Sequence, residues 1–286
     1  MNVSSDFYSN YPFQKELAIA ESIAKQASMI IMKNYKKDFS VTQKPNDQGP
    51  VTSIDIAVSQ YIVSTLKKNF PTDAICSEEE DDDPSRLKKN RVWSIDPIDG
   101  TQEFINHSPQ FMIHIGLIID HKSAFGLIYS PVEQMVLWGT PQHGSFVKKN
   151  GIINKLSCSK RPIEEAIFVK SRSHQSTLSL TLMEKLQHKE SFYFGSMGGK
   201  ATQLCLGNAD AFFYTSSFIK EWDTSAPEAI VRGAGGSVTN LLGSPLRYNK
   251  EKLNHEKGVI FSNTVIHQHI TSSWRKIKDN DFFLEK

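Results

Sequence analysis

A change of rhythm near the middle of the chain most limits what it can fold into. Short apolar, β-branched runs at 92–96, 111–119, 124–129 and 135–139 follow one another with turn residues such as Pro131, Pro141 and Gly144 at their ends. Strands this close, with no helical stretch between them, predict an antiparallel sheet. Beyond residue 160 the pattern alternates instead: strands at 167–170, 209–214 and 258–261, and helices at 178–186, 200–206 and from about 225. That alternation is the α/β pattern. Two lobes sharing a cleft are therefore expected, 1–155 and 156–286.

Ahead of the first strands, Leu17, Ala20, Ile23, Ala24, Ala27, Ile30 and Ile31 follow helical spacing over 14–35. A second helix is expected over 55–70, with Val58, Tyr61, Ile62, Thr65 and Leu66 inward, a cap at Thr52 or Ser53, and Pro71 ending it.

Apolar residues make up 39% and charged residues 22%, which excludes a disordered chain. The formal net charge is +2, and scattered Lys and Arg give no stripe for a polymeric nucleic acid. Cys76, Cys158 and Cys205 form no disulfide or zinc pattern. With no apolar run near the ~20 residues of a membrane span and no signal pattern at the start, the expected compartment is the cytoplasm, without a membrane partner.

The chemistry concentrates in carboxylates. DPIDGT at 96–101 follows a strand and sets Asp96 and Asp99 around Pro97, with Gly100 permitting a tight turn. Such a strand-end turn can aim both acids and the Ile98 carbonyl at one hard cation, or it can be a surface turn. SEEE at 77–80 adds Glu78 and Glu79, and EWDTSAPEA at 221–229 adds Asp223 beside Trp222. Asp223 also reads as an early acid of the next helix, whose start is expected at a capping box over 225–228.

These motifs together resemble the inositol monophosphatase superfamily: Glu78-Glu79, then DPIDGT, then Trp222-Asp223 with Gly235-Gly236, in that order. Asp55, heading a helix, and Lys44 eleven residues before it also match. The resemblance implies a layered α-β-α-β-α sandwich with an antiparallel N-terminal sheet and a mixed C-terminal sheet. It implies two or three Mg2+ ions held by Glu78, Asp96, the Ile98 carbonyl, Asp99 and Asp223, with Glu79 at a weaker site, and inhibition by Li+. Asp55 and Thr101, with Glu78, match the family's water-activating residues, so the implied reaction is attack of activated water on a phosphate monoester.

Within the superfamily the chain looks most like the 3'(2'),5'-bisphosphate nucleotidases, on SRSH at 171–174, Glu103-Phe104, GSMGGK at 195–200, WDTSAPE at 222–228 and GSPLRYN at 243–249. The implied substrate is adenosine 3',5'-bisphosphate, cleaved to AMP and phosphate, as in sulfur metabolism. Gly100, Thr101, Ser171, His174, Gly198, Lys200 and Asp223 match substrate-contacting positions, in a monomer or homodimer. Two departures stand out: Gln102, where the family commonly has Lys, and the run Asp81-Asp82-Asp83, read as a solvated loop. An inositol phosphate phosphatase and an inactive nucleotide-binding scaffold are the competing readings.

Overall fold

The protein's computed structural model describes residues 11–44, 49–172 and 176–284. The chain opens with α1 (Gln14–Asn34), a two-stranded antiparallel pair β1 (Val41–Gln43) and β2 (Pro50–Thr52), and α2 (Ser53–Asn69). Thr52 caps α2, accepting from the amides of Ile54 and Asp55, while Asp55 returns a bond to the Thr52 amide. Seven strands follow and pair in sequence order: β3 (Ala74–Ser77), β4 (Arg91–Asp99), β5 (Met112–Ile119), β6 (Lys122–Ser130), β7 (Met135–Thr140), β8 (Gly144–Lys149) and β9 (Ile152–Lys155). A short helix α3 (Thr101–Ile105) interrupts them after β4.

The second half runs β10 (Ile167–Lys170), α4 (Thr177–Leu186), β11 (Glu190–Tyr193), α5 (Met197–Cys205), β12 (Ala211–Tyr214), α6 (Glu221–Gly233), β13 (Gly236–Thr239), β14 (Val259–Asn263) and α7 (His267–Leu284). Its five strands lie in the order β11-β10-β12-β14-β13, parallel at β11-β10-β12 and antiparallel beyond.

Each apolar face finds a partner layer. Leu17, Ile23 and Ile31 of α1 and Val58, Ile62 and Leu66 of α2 bury against Trp93, Ile115, Leu127 and Trp138 of the seven-stranded sheet. α5 and α6 fill the space between the two sheets. α4 and α7 cover the far side of the five-stranded sheet through Leu182, Leu186, Ile270, Trp274 and Ile277. The result is the α-β-α-β-α sandwich. Among the described residues no helix is long and apolar enough to cross a membrane.

Three expectations need correction. β3 runs parallel to β4, so the first sheet is antiparallel only from β4 onward. The strand does not stop before DPIDGT: β4 continues to Asp99, with a register shift between Asp96 and Asp99 opposite β5. Finally, α6 begins at Glu221 rather than near Ser225, so Pro227 lies inside it and Asp223 occupies its first turn.

α6 lies so close to the seven-stranded sheet that side chains are excluded beneath it. A Cβ at Gly126 would overlap the Ala226 carbonyl, and one at Gly116 would overlap the Ser225 hydroxyl and the Ala226 amide. Ser123 Oγ and Ser145 Oγ then donate to the helix carbonyls of Ser225 and Ile230, both at 2.6 Å. Gly126→Ala is expected to lower stability by about 2 kcal/mol or more, because backbone rather than a flexible side chain must yield. Urea unfolding of the variant checks this.

Candidate active site

Three helix N-termini and one strand end converge on acidic side chains. At the head of α2, Asp55 Oδ2 accepts the Thr52 amide at 2.9 Å as well as the Thr52 hydroxyl. At the head of α6, Asp223 Oδ2 accepts the Lys220 amide at 2.6 Å. Asp99, from the end of β4, receives the head of α5: Met197 N donates to Oδ1 at 2.8 Å and Gly198 N to Oδ2 at 2.6 Å. Unpaired amides and the helix dipole favour a carboxylate at each of these positions. Asp55 and Asp223 thus each cap the helix that carries them, as the reading of Asp223 as an early helix acid expects.

Thr101 stands at the start of α3, where Gly100 takes a φ of 93° that a side chain would strain. Its Oγ1 lies 3.1 Å from Asp55 Oδ1 and 3.1 Å from the Ile98 carbonyl. Glu78 and Glu79 follow β3, and Lys44 Nζ bridges them at 2.6 Å to each. Asp96 is 1% exposed, and its Oδ1 has no hydrogen-bond partner.

The electrostatics follow from this crowding. Burial pushes the Asp96 carboxyl well above the usual carboxylate range, and Glu78, Asp99 and Asp223 push it further. Asp223 is raised by burial and by Glu78. Burial raises Asp55 against its bonds from Thr52 and Thr101. Glu79 is pushed up to about 7 by burial and Glu78, against the pull of Lys44. Asp99 goes the other way: burial is outweighed by His114 and by the two α5 amides, and it stays below the usual range.

His114 was not singled out by any motif. It is fully buried, directly across the β4–β5 pairing from Asp96, with Nε2 3.0 Å from Asp99 Oδ2 and Nδ1 3.4 Å from the Trp222 carbonyl. It also explains Gly198, where an added Cβ would overlap its Nε2. Only strand register could have revealed this residue.

The remaining sequence candidates sit differently. Lys200 is 1% exposed, and its Nζ donates to the carbonyls of Phe194 and Ser196. It stitches the turn before α5. Ser171 lines a cavity of about 30 Å³ with Lys170, Ser179 and Phe213, none of them acidic. His174 lies outside the described residues. Gln102 is exposed and bonds to Asn106. The acidic run is not only solvated: Asp82 holds the buried Arg86 at 2.5 Å, and Arg86 reaches Asn249.

Among the described residues no three acidic, His or Cys side chains are already arrayed as metal ligands. Lys44 and the helix amides occupy their oxygens instead. The donor set nevertheless fits a hard divalent cation: all oxygen, with an orphaned buried carboxylate oxygen at Asp96 and mutual repulsion that only positive charge relieves.

The layered sandwich with acids clustered at its strand and helix ends is the architecture of a phosphatase family. The chain matches the inositol monophosphatase family over residues 13–279 and belongs to it. Members of this family are generally Mg2+-dependent. It is 30% identical to a 3'(2'),5'-bisphosphate nucleotidase CysQ of Aggregatibacter actinomycetemcomitans over 233 residues, 80% of this chain and 86% of that one. It is 31% identical to human inositol monophosphatase 1 over 245 residues, 82% of this chain and 86% of that one. The CysQ structure from Bacteroides thetaiotaomicron superposes with a TM-score of 0.74 at 26% identity, covering 88% of this chain and 99% of that one. An inositol monophosphatase structure from Thermotoga maritima gives 0.78 at 24% identity, covering 93% and 99%, and shares the fold.

A carboxyl whose folded pKa is raised contributes stability below its unfolded pKa and loses it as pH rises. Metal-free protein should therefore lose stability as pH climbs above about 4 on account of Asp96. Asp96→Asn is expected to raise the metal-free melting temperature at pH 7 and to shrink the further rise produced by added Mg2+. Thermal melts with and without Mg2+ read both changes.

Proposed function

We propose that this phosphatase removes the 3'-phosphate of adenosine 3',5'-bisphosphate, giving AMP and inorganic phosphate. The observation that carries the reading is the placement of GSMGGK, a segment that looks like the nucleotidase branch. Its turn and first helical residues fold directly onto Asp99, through the amides of Met197 and Gly198. The similarity to the CysQ nucleotidase supports the same reading.

Two or three Mg2+ ions, held by Glu78, Asp96, the Ile98 carbonyl, Asp99 and Asp223 with Glu79 nearby, would neutralise the phosphate and make water acidic enough to attack. The protein's own part is orientation. Asp55 Oδ1 accepts the Thr101 hydroxyl proton, which leaves a Thr101 lone pair to accept a proton from the attacking water and aim it at phosphorus. Burial raises Asp55 above the ordinary carboxylate range, which makes its carboxylate a stronger hydrogen-bond acceptor for Thr101. The water oxygen forms the new bond to phosphorus, the P–O3' bond breaks, and the leaving oxygen takes up a proton. Lys44 restrains Glu78 and Glu79 through one ammonium shared between them.

A second reading, hydrolysis of an inositol phosphate, draws on two observations. Human inositol monophosphatase 1 is as similar to this chain as CysQ, and Lys200 is turned away into its own turn.

Phosphate release with Mg2+ from adenosine 3',5'-bisphosphate, inositol 1-phosphate and inositol 1,4-bisphosphate separates the two. At least a tenfold higher kcat/KM for the nucleotide is expected; the reverse order replaces the proposal with the second reading, and silence on all three points to an inactive scaffold. Thr101→Ala is expected to lower kcat by about 10²-fold or more with an unchanged melt. Asp96→Asn should abolish turnover in a folded protein, and near-normal turnover would refute the metal assignment.

A further inference from the structure

One cavity of the protein is lined by none of the clustered acids. It holds about 380 Å³ and is built from the β13–β14 connection, residues 240–258. That volume suits a small metabolite. Its lining is unlike an apolar ligand pocket: Arg247, Lys250, Lys252 and Lys257 face it, against Glu251 and Glu256. The two acids do not neutralise the four cations. Lys252 pairs loosely with Glu256 at 3.5 Å on an exposed surface, and Lys250 is engaged with Glu221 at 3.2 Å and the Asn254 carbonyl at 2.8 Å. Among the described residues Arg247 and Lys257 have no ion-pair or side-chain hydrogen-bond partner, and both are exposed at the cavity wall.

A free guanidinium and a free ammonium at one polar cavity call for an oxyanion, since the planar fork of Arg matches phosphate oxygens in pairs. We propose that this cavity binds a small phosphate-bearing metabolite through Arg247 and Lys257, at a site separate from the catalytic carboxylates. The assignment does not depend on which substrate the enzyme hydrolyses.

The wall of the cavity is wired to the turn that carries Asp223. Asn249 N and Lys250 N donate to Glu221 at 2.6 and 3.1 Å, Lys220 Nζ donates to Asn254 Oδ1 at 3.0 Å, and His255 Nε2 lies 2.8 Å from Thr224 Oγ1. An occupant that shifts residues 250–255 therefore acts on the first turn of α6. The same corner reaches the Glu78-Glu79 loop through Asn249 and Arg86.

Calorimetric titration of inorganic phosphate into the full chain with EDTA present tests the site without metal at the carboxylates. A saturable phosphate site is expected that weakens at least tenfold in Arg247→Gln/Lys257→Gln and is unchanged in Asp96→Asn. Both replaced side chains are exposed, so the double variant should melt as the parent does, and Arg247→Glu provides an independent loss of binding. No phosphate binding to the parent, or equal binding by the double variant, overturns the proposal.

Discussion

Buried negative charge sets the terms for the whole structure. Asp96, Asp99, Asp223, Glu78 and Glu79 gather where water is scarce, and such a cluster is unfavourable unless positive charge or aligned dipoles oppose it. The fold answers with the heads of α5 and α6, which give amides to Asp99 and Asp223, and with Lys44 between Glu78 and Glu79. These contacts give the carboxylates partners in a region that water reaches poorly. Asp96 has none for one of its oxygens.

The central helix makes this convergence possible. α6 must bring Asp223 to the end of β4, and it does so by lying on a sheet face cleared by glycine and pinned by serine hydroxyls. Its opposite side packs on β13 and the five-stranded sheet, so one helix transmits position between both sheets. Helix heads then arrive at the acids from three directions while the sheets stay apart.

Much of this was legible in the residues. Periodicity located α1 and α2, and the spacing of strand-like runs placed β4 to β7. The helical spacing of Ile270, Trp274 and Ile277 in α7 was available but is diluted by the polar residues around it. β11 and β13 are four residues each, too short to show a period. The start of α6 was misplaced because a Ser-Ala-Pro-Glu string imitates a cap, whereas tertiary packing carries the helix one turn earlier with Asp223 as the acid that closes it. His114 and the inward turn of Lys200 were invisible for a different reason. Each depends on what lies across a strand or behind a turn, which one-dimensional spacing does not encode.

The glycine-cleared contact beneath α6 has a consequence for how such a protein can diverge. Backbone packed against backbone leaves no side chain to trade, so the seam between α6 and the seven-stranded sheet admits almost no gradual change. The β13–β14 connection, by contrast, presents exposed side chains such as Arg247 and Lys257, which can be exchanged without moving backbone. Novelty in what this protein grips should accordingly accumulate along the five-stranded half, while the seam beside the acids holds still.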